Sequence, residues 1–113
     1  MENCIFCRLA NGGLKTEKLY EDDVFFIVRD IEPKAKLHYL AIPNNHYAQF
    51  SDMQEGDVNT LGHIFKTIAE KAESLGFKKG YRLIVNQGAD AGQTVFHLHI
   101  HILGGQPMAF PNF

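Results

Sequence analysis

Residues 96–105 read "FHLHIHILGG" and set His97, His99 and His101 at alternate positions, with Leu98, Ile100 and Ile102 among them. Half of the chain's six histidines fall within five residues. Alternation at period two is the pattern of a half-buried β-strand, whose successive side chains point to opposite faces. The apolar residues would then face a core, and the imidazoles would share the other face. Exposed strand faces ordinarily carry polar residues such as Thr, Lys or Glu, so a row of histidines reads as a site. Alternate positions lie roughly 6.6 Å apart and the outer pair about 13 Å. Two neighbouring rings can grip one phosphate or one metal ion; three cannot easily converge on one atom.

The strand implied by this pattern spans 95–103, and the segment before it, "YRLIVN" (81–86), reads as its partner. Between them "QGADAGQT" is longer than a hairpin turn requires. Its glycines let backbone N–H groups approach an anion, and Gln93 and Thr94 add an amide and a hydroxyl. Taken alone the loop reads as merely flexible; beside three histidines it reads as a phosphate cradle.

Further out, Val58, Leu61, Phe65, Ile68, Ala72 and Leu75 recur at helical spacing, which predicts one long helix over 57–75 stopped by Gly76. "KLYED" and "VFFIVRD" read as strands joined by a tight turn at Asp22-Asp23, and "LHYLAIP" as a third strand ending at Pro43. Ser51 and Gln54 are spaced as a small capping box. "CIFCRLANG" suits a short helix with Ile5, Phe6 and Leu9 on its apolar side and Gly12-Gly13 at its end. The order β-β-β-α-β-β, with no β-α-β alternation, implies an antiparallel five-stranded sheet in an α+β fold.

At 113 residues, 45% apolar and 21% charged, the chain reads as one globular domain, 1–113. A net charge of −2 argues against an electrostatic nucleic-acid binder. No segment approaches a membrane span of about 18 apolar residues. "MENCIFCRLA" lacks a basic start followed by an apolar run, so it is not read as a secretory signal, and a cytoplasmic location is expected. There Cys4 and Cys7 would stay reduced. Their C-x-x-C reads as half a zinc site, as buried thiols or as a redox pair. The redox motif ordinarily sits in a β-α-β pattern that this chain lacks.

An imidazole of ordinary pKa is largely uncharged at neutral pH and can act as nucleophile or base. One histidine can attack phosphorus while a neighbour donates to the phosphoryl oxygens.

"HLHIHIL" resembles the signature of the histidine triad (HIT) superfamily of nucleotide hydrolases and transferases. The likeness continues through "LYEDD", "RDIEP", "LHYLAIPNNH", "LGFKKGYRLIVNQGADAGQTVFHLHIHILGG" and the closing "PMAFP". The "LGG" after the triad is similar to the adenosine phosphoramidase branch, called histidine triad nucleotide-binding proteins, rather than to the dinucleoside polyphosphate hydrolases.

That resemblance implies a HIT-like fold whose sheet extends across a homodimer, built through the long helix and a sheet edge. It implies hydrolysis of the P–N bond of adenosine 5'-phosphoramidates to AMP and an amine. His99 would be the nucleophile, forming a nucleotidyl-histidine, and the main-chain carbonyl of His97 would fix its tautomer. His101 would donate to the phosphate, and His38 would support the site. Asn86, Gly92, Gln93, Thr94 and Val95 would contact phosphate and leaving group. Thr94 stands where the family often has Ser, which keeps the hydroxyl. Asp30 and Ile31 would hold the ribose and flank the base, with Ile5, Phe6 and Leu9 in the purine slot. A carboxylate suits a vicinal diol because it can accept two hydrogen bonds. The resemblance also pairs Cys4 and Cys7 with His46 and His97 as ligands of a structural zinc; other branch members lack the cysteines. His63 matches nothing catalytic and reads as an ordinary helix residue.

Three other readings use the same residues. One is a hydrolase of dinucleoside polyphosphates or acyl-adenylates. A second is a nucleotide sensor or scaffold in which turnover is incidental. In a third, His97 and His99 chelate a catalytic metal.

Overall fold

The computed structural model describes residues 3–108; the end of "PMAFP" lies outside them. In chain order the elements are α1 (Ile5–Ala10), β1 (Tyr20–Glu21), β2 (Phe25–Arg29), β3 (Leu37–Pro43), α2 (Val58–Lys71), β4 (Tyr81–Ile84) and β5 (Ile100–Gly104).

The strands form one antiparallel sheet in the order β1-β2-β3-β5-β4. β2 and β3 are apolar at successive positions because both of their faces are covered. Phe25, Ile27, Tyr39, Ala41, Ile100 and Ile102 pack with Ile64 and Ile68 of α2 and with Ala72 just after it. On the opposite face Phe26, Val28, Leu40 and Ile42 pack with Phe6 and Leu9 of α1. His38 and His101 alternate with Tyr39 and Ile102 and so belong to the α1 face.

Register then brings the two histidines together. Leu40 pairs with His101 and His38 with Leu103, leaving the two imidazoles diagonal neighbours. The phosphate-binding candidates therefore sit at the boundary between sheet and α1, not over α2.

Three expectations are corrected. The regular strand starts at Ile100 rather than residue 95, so the ladder carries only His101 of the triad. β3 ends at Pro43, which has no N–H to continue the ladder, and the Pro43 carbonyl accepts from the His97 ring Nε2–H at 2.8 Å. Side chain thus replaces main chain at that point, and Leu98 N–H turns instead to Tyr47 O.

The capping box is not Ser51–Gln54. The Asp52 and Asp57 carboxylates accept from Gln49 and Gln54 N–H at 3.0 and 2.9 Å, forming two successive 3-10 turns with Ser51 inside the first. A carboxylate is the stronger acceptor for an orphan N–H.

The regular part of α2 stops at Lys71, four residues short of the expected end. The last turn instead closes through Gly76 N–H to Glu73 O and Phe77 N–H to Ala72 O, a Schellman pair. It requires a left-handed residue, and Gly76 has φ +104°.

Candidate active site

His97 leaves the triad. It is fully buried, and Nε2–H is committed to Pro43 O, so the neutral ring turns a bare Nδ1 away from the sheet. That Nδ1 lies 3.4 Å from Cys4 Sγ, 3.5 Å from Cys7 Sγ and 3.1 Å from His46 Nδ1, while Cys7 Sγ is 3.2 Å from His46 Nδ1. All four ligand atoms lie within 4.8 Å of one another. A tetrahedral zinc with bonds of about 2.0 Å to nitrogen and about 2.3 Å to sulfur sets its ligand atoms about 3.3–3.8 Å apart. The donor set fits a closed tetrahedral ion, and a ring N–H on a carbonyl is the usual orienting contact behind such a ligand. Burial, and then the neighbouring Cys4, raise the Cys7 thiol pKa. A divalent cation would reverse that preference by binding the thiolate.

His99 keeps its expected anchor. Its Nδ1–H donates to the His97 carbonyl at 2.8 Å, which leaves the Nε2 lone pair free to attack. One residue thus supplies a ring to the cysteine cluster and a carbonyl to the nucleophile candidate. Both His97 nitrogens face other groups, Nε2 the Pro43 carbonyl and Nδ1 the Cys4, Cys7 and His46 cluster, which argues against an H-x-H chelate with His99. Phe6 stands edge-on to His99 with centroids 5.1 Å apart.

The His101 tautomer is set from the far end of a chain of donors. Lys34 N–H can only donate, and it reaches His38 Nδ1 at 2.9 Å. The His38 proton is therefore on Nε2, 2.9 Å from His101 Nδ1. His101 in turn carries its proton on Nε2, as a donor. Burial, with His99 and His38 beside it, lowers its pKa to about 4, against the opposing pull of Asp30. Burial also lowers that of His38. Asp30, His38 and His101 are close enough to hold a metal. Coordination through His38 Nε2 would move its proton to Nδ1, where it would face the Lys34 N–H, so hydrogen bonding is the better account.

His99 and His101 open onto a cleft of about 500 Å³. Ile5, Phe6, Leu9, Val28 and Leu40 supply its apolar wall, and Asp30, Ile31, Thr94 and Val95 also line it. Ile31 is 93% exposed, at the rim. Asn86 lines an adjoining cleft of about 610 Å³ instead, which meets the first at Asp30, Lys34 and His101.

The glycine loop differs from the expected cradle. Gly92 N–H and Gln93 N–H are spent on Ala89 O and Gly88 O at 3.0 and 3.1 Å. The Gln93 side chain is turned inward: Oε1 accepts from Gly88 N–H, and Nε2 donates to Ala48 O and Val95 O. Loop closure uses these groups first, leaving Thr94 and Val95 as the loop's edge at the cleft. Sequence reasoning missed the Lys34 N–H and the Pro43 carbonyl, because a main-chain group carries no residue-type signal.

His63 is more than an ordinary helix residue. Its Nε2 lies 2.7 Å from Asp22 Oδ2, and Asp22 also accepts from Tyr20 OH and the N–H groups of Val24 and Phe25. Burial alone would raise the Asp22 pKa; the hydrogen bonds from His63, Val24, Phe25 and Tyr20 outweigh it and bring it to about 2.

A family model described as the HIT domain matches residues 11–108. An uncharacterised HIT-like protein of Chlamydia muridarum is 42% identical over 101 residues, covering 89% of this chain and 80% of its own. The structure of a HIT family hydrolase from Clostridium thermocellum superposes with a TM-score of 0.93 at 43% identity, over 100% of this chain and 99% of that one. A zinc-bound histidine triad family protein from Mycobacterium smegmatis gives 0.80 at 31% identity, over 96% and 81%.

Proposed function

Because the chain belongs to the HIT domain family, we propose that it is a purine nucleoside phosphoramidase that cleaves adenosine 5'-phosphoramidates to AMP and an amine. The observation that carries this reading is the His99 tautomer: Nδ1–H on the His97 carbonyl at 2.8 Å, Nε2 bare beside a donor His101. His99 Nε2 attacks the α-phosphorus, and the P–N bond breaks as the amine leaves with its electron pair and takes up a proton from solvent, to which the attacking water of the next step returns one. Water then attacks the nucleotidyl-histidine, the P–Nε2 bond breaks, and His99 is restored with AMP released. The His101 Nε2–H donates to the phosphoryl oxygens through both steps. The apolar wall of the cleft takes the purine, and the likeness to a HIT family hydrolase from Clostridium thermocellum supports the reaction class.

Cys4, Cys7, His46 and His97 hold a zinc ion in this reading, supported by their spacing and by the zinc-bound relative from Mycobacterium smegmatis. Four protein ligands leave no open position, so the metal supplies rigidity and no contact to substrate. The protein acts as a cytoplasmic homodimer. Two observations support the dimer: Val58 and Phe65 of α2 are 56% and 39% exposed, and β4 lies at a sheet edge. Among the described residues no helix is long and apolar enough to cross a membrane.

Mass spectrometry of protein quenched during turnover of adenosine 5'-phosphoramidate tests the reading. A covalently added nucleotidyl mass is expected in the wild type and none in His99→Ala. A His99→Ala protein that hydrolyses at the wild-type rate would overturn it.

A further inference from the structure

Asp30 is assigned to the ribose by resemblance, yet both of its carboxylate oxygens already face protein groups. It follows the last residue of β2, and its N–H extends the ladder to His38 O at 3.0 Å. Oδ1 accepts from Glu32 N–H at 2.8 Å, a local turn that fixes the side chain's direction. Oδ2 is thereby delivered to His38 Nε2 at 3.3 Å, and lies 3.9 Å from His101 Nδ1. The side chains of Asp30 and His38 are 16% and 3% exposed, so this contact is largely shielded from water.

Because Lys34 N–H occupies His38 Nδ1, the His38 Nε2–H is directed to His101 Nδ1 at 2.9 Å, with the Asp30 Oδ2 charge beside it at 3.3 Å. The carboxylate so placed attracts a proton on His38 Nε2 and would repel a lone pair there, which favours the same His38 tautomer that the Lys34 N–H selects. The same carboxylate places a negative charge beside the histidine pair, at the edge of the cleft that Asp30 itself lines. As phosphoryl oxygens gain charge and draw on His101 Nε2–H, His101 Nδ1 draws harder on the His38 proton. Holding the His38 proton on Nε2 therefore keeps it where His101 Nδ1 draws on it. We propose that Asp30 is a positioning residue for His101, acting through His38 to hold the donor tautomer, in addition to any contact with the ribose. This deepens the phosphoramidase reading and rests on it for its kinetic consequence, but not for its structural one.

The two roles separate on a substrate without the diol. Asp30→Asn is compared with wild type on adenosine 5'-phosphoramidate and on its 2',3'-dideoxy analogue. Positioning predicts a fall in kcat of about tenfold or more on both substrates, the size of one lost orienting contact. A ribose contact alone predicts a rise in KM on the first substrate and no change on the second. Nitrogen NMR of the imidazoles in ligand-free protein at neutral pH gives a readout independent of turnover. Wild type is expected to show His101 protonated at Nε2, and Asp30→Asn a mixture of tautomers. Should Asp30→Asn not fold, Asp30→Ser keeps an acceptor for Glu32 N–H without reaching His38 and serves in its place. Unchanged dideoxy kcat or an unchanged His101 tautomer overturns the positioning role. If the wild type hydrolyses neither substrate, the phosphoramidase reading fails, and the NMR comparison alone still decides the role of Asp30.

Discussion

At His99 and His101 the chemistry depends on where two protons sit, and each is fixed by a main-chain group: the His97 carbonyl for one, the Lys34 N–H for the other. Replacing His38 breaks the second chain at its middle. His38→Ala should lower kcat by about tenfold or more with little change in KM, since an orienting partner is lost and no substrate contact is; steady-state kinetics check it. His101 and His97 both have pKa values near 4, with burial the largest cause, against an ordinary 6.5. A depressed imidazole pKa means that the unfolded chain binds protons before the folded one does. Stability is therefore full above pH 6.5 and falls as pH drops from there toward 4, by about 3 kcal/mol at most for His101. Urea unfolding between pH 7 and 4.5 measures this, and a midpoint that does not move over that range would contradict it.

Among the elements, α2 divides its apolar residues between two faces. Ile64 and Ile68 are fully buried against the sheet, whereas Val58 and Phe65 of the same stripe are exposed. Ile68→Ala should cost about 2–5 kcal/mol by leaving a cavity. Phe65→Ser should instead weaken self-association while leaving the fold intact, seen as a loss of mass in light scattering with unchanged circular dichroism. The β1–β2 turn is tied to α2 through Asp22 and His63. Asp22→Asn removes the charge that accepts from four donors, and about 1–2 kcal/mol of stability should go with it. The Asp22 pKa lies near 2, below the usual 3.8, so its contribution is present above pH 4 and lost only as pH falls through that interval.

For the whole molecule, the cysteine cluster and the nucleophile candidate share one residue. His97 lends its ring to Cys4, Cys7 and His46 and its carbonyl to His99. Stripping metal with a strong chelator should therefore lower the melting temperature and turnover together, and restored zinc should recover both. Cys7→Ser should reproduce the loss, with less than one zinc per chain by elemental analysis. If stripped protein keeps full activity at a reduced melting temperature, His99 is held without the ion, and the link through His97 is not functional.

Much of the architecture was legible because local pattern and tertiary environment agree: the apolar runs of β2 and β3, the helical spacing of α2 and the Gly76 stop each follow from side-chain periodicity and backbone freedom. The histidine row, the C-x-x-C and the family likeness likewise marked the candidate residues in advance. What side-chain pattern could not supply, and tertiary structure did, is the main-chain group that each imidazole meets. Period two puts three imidazoles on one face, but Pro43 ends the ladder and its carbonyl takes the His97 ring, sending that side chain to the cysteines. The loop glycines were visible, yet closing the loop consumed their N–H donors. Side-chain order is written in sequence; the direction of a proton is set by main-chain groups that every residue possesses, and only the fold chooses which of them meet.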